Sequence, residues 1–379
     1  MWLVITVGML TITYLVLGHV GSKRIERERS SLTVPKKLPL VSIIIPAYRS
    51  EKTIESTLGS IKALRYPRKE IIVVNEYPDR TPEIARRYTQ KVYHRNERTG
   101  KPSSLNFALT KARGEILFFL DSDTSVMPDT LDRIIPWFSK SGVAAVMPKY
   151  LVRNSRNELA RLAGVENAFT FALIKMNMFF GSLIGFRGCG VAIRRSVMNR
   201  LGGWPNTLLE DNDLAARIAK KGMRIQWEPL AMIKTTEPPN RKRLRNQKIR
   251  WGKGSFFSYA RHWRFYMKAP QFLLFFFPYL LLSMFMIDTL LIGTVMSLIY
   301  DVPRFFAFIL YQILLAFLAM LLHSVIMVWS TGDRRDPLEI FEFVFFYFPL
   351  TTYYYFLGLI KGIRKKKRKE PELDFKYWE

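Results

Sequence analysis

Three clusters have the residue types and spacing to do chemistry. Asp121-Ser122-Asp123 directly follows the apolar run Ile116-Leu117-Phe118-Phe119-Leu120, so two carboxylates emerge together at the end of an expected strand. Such a pair suits a hard divalent cation, which takes oxygen ligands, keeps waters and bridges carboxylates to phosphates. A turn whose aspartates cap the next helix would use the same triplet. Leu209-Glu210-Asp211-Asn212-Asp213 opens a helical stretch that closes on Lys220-Lys221-Gly222. Acids there complement the helix dipole, and a carboxylate held charged at that point can also take a proton from an attacking hydroxyl within hydrogen-bond reach. In Gln247-Lys248-Ile249-Arg250-Trp251 the arginine can clamp phosphate oxygens and the indole can stack on a sugar ring or another planar group; singly, they read as a headgroup contact and an interface anchor.

The elements that must position these residues alternate between strand and helix. Val41–Ile45 is a strand closed by Pro46, and further strands are expected at Glu70–Val74, Gln90–Tyr93, Ile116–Leu120 and Val143–Met147. Thr81-Pro82 starts a helix, while Gly114 and Gly222 stop helical stretches. Asp129 and Asp132 fall in a helical stretch as solvated or capping residues. This alternation implies an α/β, mostly parallel sheet with helices on both faces, whose ligands gather beyond the carboxyl ends of the strands. Pro46–Tyr48, Asn75–Asp79 and Asp121–Asp123 occupy those ends.

Composition narrows the class. The 379 residues carry a net charge of +27 together with 14% aromatic residues, a combination foreign to disordered or nucleic-acid-coating chains. No nucleic-acid partner is expected. The single cysteine, Cys189, excludes an intramolecular disulfide, and His19, His94, His262 and His323 are too scattered for a zinc cage, so any metal must rest on carboxylates.

Apolar runs point to a membrane. Residues 1–22 read as a retained transmembrane helix, since Trp2–Val20 lacks charge and Lys23 and Arg24 follow it, which places the next segment in the cytoplasm. The expected organisation is then a cytosolic body at 40–240, amphipathic interfacial helices at 241–270, two to three membrane helices at 271–360 and a basic tail at 361–379. Phe272–Ile299 and Phe305–Trp329 are long enough to cross; Phe341–Leu359 either crosses or lies in the interface, and only the second keeps the tail inside. The expected localisation is a multi-pass protein of the cell membrane with its catalytic domain in the cytoplasm.

Pro46-Ala47-Tyr48, Asp121-Ser122-Asp123, Glu210-Asp211 and Gln247–Trp251, in this order, resemble the membrane-integrated family 2 glycosyltransferases, the cellulose, chitin, hyaluronan and poly-N-acetylglucosamine synthases with a QxxRW motif. Gly100–Asn106, Gly188–Arg195 and Gly202-Gly203-Trp204 agree with that family's phosphate-side helix, acceptor-side strand and approach to the ED motif. The resemblance implies a GT-A type, Rossmann-like domain flanked by transmembrane helices, and inverting transfer from a nucleotide sugar, a UDP-sugar first, to a growing polysaccharide through β-linkages. A single addition to a lipid acceptor is the alternative; a basic membrane-anchored binding protein is the reading from another class.

The same resemblance assigns roles. Asp211 is the base and Glu210 orients it or the acceptor; Asp123 with Asp121 holds Mg2+ or Mn2+. Pro46, Tyr48, Asn75, Glu76, Lys101, Asp121, Asp123 and Arg250 bind the nucleotide sugar, and Gly188, Cys189, Gly190, Gln247 and Trp251 line the acceptor subsite. One departure stands out: where the family carries an Asp-Asp-Gly-Ser-x-Asp turn, this chain has Asn75-Glu76-Tyr77-Pro78-Asp79, leaving Asn75 or Glu76 to read the base. Partners are the donor, a polysaccharide or lipid-linked glycan acceptor and membrane lipids, with a homo-oligomer or an accessory subunit left open.

Overall fold

The computed structural model describes residues 2–274 and 302–367, with 292 and 295 between them. Strands are β1 Val41–Ala47, β2 Lys69–Asn75, β3 Val92–His94, β4 Ile116–Phe119, β5 Ser125–Val126, β6 Val143–Val152, β7 Val191–Arg194 and β8 Arg224–Thr235. Helices are α1 Trp2–Ser30, α2 Ile54–Lys62, α3 Thr81–Arg86, α4 Lys101–Lys111, α5 Thr130–Ile134, α6 Glu158–Phe179, α7 Arg195–Leu201, α8 Glu210–Lys220, α9 Arg241–Tyr266, α10 Val302–Ser330, α11 Pro337–Glu342 and α12 Phe348–Lys367.

The strands form one sheet in the order β3-β2-β1-β4-β7-β6-β8-β5. Its first half, β3-β2-β1-β4, is parallel, as the strand and helix alternation requires. Ile43, Ile44 and Ile45 are all fully buried, which explains why β1 is a continuous apolar run and not an alternating one. The second half is mixed: β6 and β8 pair in parallel, while β7 runs antiparallel to both β4 and β6 and β5 antiparallel to β8, so the sheet as a whole stays mostly parallel. β8 escaped the sequence because Glu228-Pro229 interrupts its apolar pattern. That buried glutamate is neutralised by Arg29, which donates from Nε at 2.9 Å and Nη2 at 2.8 Å, and by Trp137 Nε1 at 2.7 Å.

Smaller expectations also shift. β1 continues through Pro46, opposite Val74, to Ala47. The cap of α3 is Arg80, one residue before Thr81. Gly222 does end α8, with φ +69° just past its last turn. Gly114 does not end α4, whose cap is Ala112; it lets the chain pass β1, since a Cβ there would come within 2.5 Å of the Ser42 nitrogen and 2.8 Å of the Leu40 carbonyl.

Outside the sheet, α1 continues past its apolar part and packs along α6, where a Cβ at Gly21 would fall on the Lys175 carbonyl. Besides Arg29, its charged end is held by Glu28, which accepts from Arg224 at 2.6 Å, and by Arg24, which donates to the Phe179 carbonyl at 3.2 Å. The aromatic, basic stretch expected at the interface lies within α9, broken at His262. This helix is closely packed against α12: a Cβ at Gly252 would strike the Tyr355 carbonyl and one at Gly358 the Ile249 carbonyl.

Among the described residues one continuous helix, Pro337–Lys366, is long and apolar enough to cross a membrane, and Phe317–Ser330 is a shorter apolar helix. Most of the expected Phe272–Ile299 span lies outside the described residues, as does the basic tail after residue 367.

Candidate active site

The carboxyl end of β4 delivers Asp121 into a turn that is held from below. Ser122 and Ser50 share a hydroxyl hydrogen bond of 2.7 Å, and Thr57 Oγ1 donates to the Ser122 carbonyl at 2.9 Å. Lys101, in the first turn of α4, reaches across to Asp121 Oδ1 at 2.7 Å and to Glu210 Oε1 at 3.4 Å. The DSD and ED motifs, 89 residues apart in the chain by numbering from 121 to 210, are thus brought together by one ammonium. Burial opposes the Lys101 charge, but Asp121, Glu210 and Asp211 outweigh it and raise its pKa above the usual lysine range. Asp123 is pushed up to about 6 by burial and by the neighbouring Asp121 charge. Its carboxylate has no ion-pair partner among the described residues. Two close carboxylates with a single lysine on one of them fit a divalent cation, and Asp121 and Asp123 are the residues that would hold it.

At the start of α8, Asp211 accepts from the Gly188 N–H through Oδ2 at 2.9 Å and from the Asn212 N–H through Oδ1 at 2.8 Å. Each oxygen is therefore aimed by backbone, which fixes the carboxylate while leaving lone pairs open. Gly188 lets the chain pass between two side chains: a Cβ there would lie 3.4 Å from Asp211 Cβ and 3.5 Å from Lys101 Nζ. Glu210 is nearly fully buried, and burial followed by the Asp211 charge raises its pKa against the pull of Lys101 and Arg250. Asn106 on α4 clasps the approach to this helix, accepting from the Trp204 N–H at 2.8 Å and donating to its carbonyl at 2.9 Å.

At the carboxyl ends of β1 and β2, where the nucleotide is expected, Tyr48 and Tyr77 meet edge to face at 5.1 Å, with Arg49 over Tyr77 at 4.7 Å and Arg98 over Tyr48 at 4.5 Å. Arg49 alone among the non-glycine described residues has positive φ, +52°. Pro46 lies in β1 behind this cluster. Asn75 is fully buried; its amide donates to the Tyr77 carbonyl, and its Oδ1 has no hydrogen-bond partner. Glu76 is corrected from base reader to anchor. It accepts from Thr99 N at 3.2 Å, Thr99 Oγ1 at 2.6 Å, Gly100 N at 2.9 Å, Ser104 Oγ at 2.6 Å and Arg95 at 3.3 Å. All of these tie down the segment that presents Lys101.

Trp251, expected on the acceptor side, is half-buried, with Lys248 Nζ 4.5 Å and the Arg187 guanidinium 5.7 Å from its ring centre. Lys248 is buried and paired with both oxygens of Glu166 at 2.6 and 2.7 Å. Arg187 lies over Tyr150 at 4.1 Å, pairs with buried Glu237 at 3.3 Å and donates to Asn167 Oδ1 at 3.1 Å. Sequence reasoning missed Arg187, Glu237, Glu166 and Asn167, because nothing in their local patterns marks them; only the fold brings them under the QxxRW helix. Gln247 and Arg250 are half-buried on that helix. The Cys189 thiol is pushed up to about 12 by burial and the Asp121 charge. At Gly190, with φ +79°, a Cβ would collide with Ile233.

Residues 42–202 match Glycosyl transferase family 2. A probable glycosyltransferase of Bacillus subtilis, YdaM, is 30% identical over 237 residues, covering 58% of this chain and 56% of that protein. The poly-beta-1,6-N-acetyl-D-glucosamine synthase of Staphylococcus aureus is 27% identical over 242 residues, covering 61% of this chain and 58% of that protein. The chain thus spans little more than half the length of these curated relatives. A Pyrobaculum calidifontis mannosyltransferase, solved with GDP-Man and Mn2+, shares the fold with a TM-score of 0.63 and 22% identity, covering 96% of this chain and 99% of that one. Residues 42–202 of this chain are thus similar to a family 2 glycosyltransferase domain.

Proposed function

We propose that this chain is a membrane-bound inverting glycosyltransferase that moves a sugar from a nucleoside diphosphate donor, a UDP-sugar first, to a growing polysaccharide through a β-linkage. The observation that carries the reading is the Asp211 carboxylate, aimed by two backbone N–H groups beside the Lys101, Asp121 and Glu210 cluster. Inversion is one in-line displacement at the anomeric carbon. Asp211 takes the proton of the acceptor hydroxyl, Glu210 orients that carboxylate, and Lys101 and Arg250 hold positive charge toward the departing diphosphate. Asp121 and Asp123 would hold Mg2+ or Mn2+, which would supply Lewis-acid stabilisation of the leaving group. Trp251, Gln247 and the Gly188–Gly190 strand line the acceptor, and the Tyr48, Tyr77 and Asn75 end of the sheet receives the nucleoside. Asn75 Oδ1, a buried acceptor without a partner, suits an N–H of the base.

The membrane assignment is supported by the apolar helix Pro337–Lys366 and by exposed apolar residues along α1 and α10. In this reading residues 40–240 face the cytoplasm, 241–270 lie at the interface and the protein is multi-pass.

A donor screen with Mn2+ or Mg2+ on the purified full chain tests this, reading released nucleoside diphosphate and product size together. A long product ladder that is lost in Asp211→Asn supports the synthase; a single-sugar lipid product moves the assignment to a lipid-acceptor transferase. Absence of release from every nucleotide sugar refutes both. An Asp211→Asn variant expected to bind donor normally loses turnover by about 100-fold or more.

A further inference from the structure

We infer that the groove between α1, α6 and the end of α10 is a binding site for the phosphate headgroup of an anionic lipid. The inference rests on the membrane reading above and uses none of the residues assigned to transfer. Two adjoining cavities, of about 430 Å³ and about 310 Å³, share Ser22, Glu26 and Lys175 in their walls. Lys23 opens onto the first and Lys149 onto the second.

The placement of the groove follows from the helices. α1 and α10 run side by side in parallel: Thr11 Oγ1 lies 2.7 Å from His323 Nδ1, and the groove walls include Gly18 on one helix and Ser330 on the other, each seven residues further along. Before that level both helices show exposed apolar stripes at helical spacing, Met9, Ile12 and Val16 on α1, and Phe306, Leu310, Leu314, Leu318 and Leu322 on α10. Beyond it both become charged, with Lys23-Arg24 and Asp333-Arg334-Arg335. The groove therefore lies where greasy surface gives way to polar surface, the level of a lipid headgroup.

Its charge fits the same occupant. Lys175 donates to the Ser330 carbonyl at 2.9 Å, and Lys149 lies 5.4 Å from the Phe171 ring centre; among the described residues neither has a carboxylate in ion-pair range. Lys23 is matched by Glu26 at 3.0 Å. Burial and the neighbouring Lys149 charge lower the Lys175 pKa against the pull of Glu26, so Lys23, Lys149 and Lys175 leave the space positive beside that one carboxylate. A phosphate there would relieve the repulsion, and its acyl chains would run up the two apolar stripes.

The test titrates the full chain in neutral detergent with mixed micelles of dioleoyl phosphatidylglycerol or dioleoyl phosphatidylcholine, with inorganic phosphate as a third probe. At about 1 kcal/mol for each lysine near a surface, the pair predicts roughly 30-fold tighter binding of phosphatidylglycerol over phosphatidylcholine. Lys149→Ala/Lys175→Ala should bring that ratio close to one, and Lys149→Ala alone, at a half-exposed position, should lower it about fivefold. Because the readout is a ratio between two lipids in the same protein, a folding defect that weakens both leaves it unchanged. Lys220→Ala/Lys221→Ala, an equal loss of charge at the exposed end of α8, should keep the full preference. Persistence of the preference in Lys149→Ala/Lys175→Ala, or inorganic phosphate competing away phosphatidylglycerol at equal concentration, overturns the inference. Failure to bind either lipid overturns the membrane reading instead.

Discussion

Replacing Asp213 by asparagine removes one charge from a fully buried position on the first turn of α8, two residues beyond Asp211. Its carboxylate accepts from Arg217 Nε at 2.6 Å and from Arg261, and His262 Nε2 lies 3.4 Å away on α9. Burial alone would raise its pKa; the three partners outweigh burial and bring it from 3.8 down to about 2. That difference corresponds to about 2 kcal/mol of folding stability at neutral pH, using about 1.4 kcal/mol per pH unit. For a chain of this size the unfolding temperature should fall by about 2–3 °C in Asp213→Asn, measured by tryptophan fluorescence in detergent. The sign follows from a depressed carboxyl: its stabilisation is complete above its unfolded value of 3.8 and is lost as pH falls toward about 2. The gap between wild type and variant should hold steady from pH 7 to 5, shrink to roughly half by pH 3 and then close. A gap under about 1 °C at pH 7, or one that does not narrow in acid, would refute the assigned role of Asp213 in joining α8 to α9.

With the Asp123 carboxyl near 6, protons compete with the cation below that pH. Half-saturating Mn2+, followed by electron paramagnetic resonance, should rise about tenfold per unit below pH 6 and level off above 7; Asp121→Asn should move the inflection to lower pH. Gly358→Val forces α12 away from α9, so an overpacking cost of about 2 kcal/mol should appear as a lower unfolding temperature together with lost turnover. Arg187→Gln removes a cation from beside Trp251 and strands buried Glu237; acceptor KM should rise while donor KM holds, and stability should drop by about 3 kcal/mol, measured by steady-state kinetics and thermal unfolding.

The parallel half of the sheet was legible because β1, β2 and β4 are short, β-branched or aromatic runs buried on both faces, and their carboxyl ends carry Tyr48, Asn75 and Asp121 as expected. The mixed half was not. β8 hides a charged Glu228 and a proline, and its acceptability depends on Arg29 from a helix nearly 200 residues earlier in the chain. The carboxylates of the two acidic motifs could be named from spacing, whereas their union through Lys101 and the Gly188 backbone is a property of the fold. Glu76 shows the opposite case. An acid at a strand end reads equally well as ligand or as scaffold, and only its hydrogen bonds to Thr99, Gly100, Ser104 and Arg95 decide for scaffold.

The charged end of α1 grips the sheet at Glu228 and Arg224, and α6 at the Phe179 carbonyl, before the chain enters β1. An anchor joined by a slack tether would let the cleft tumble and meet its acceptor from any direction. This one is a bracket. With the helix axis and the sheet locked together, the tilt of α1 dictates the heading of the cleft, and under the proposed membrane reading search for an acceptor would reduce to sliding in a plane at constant height. Lengthening the segment between Ser30 and Val41 would leave that heading untouched, whereas breaking the grips at Arg24, Glu28 and Arg29 together would loosen it while every proposed transfer residue stays in place.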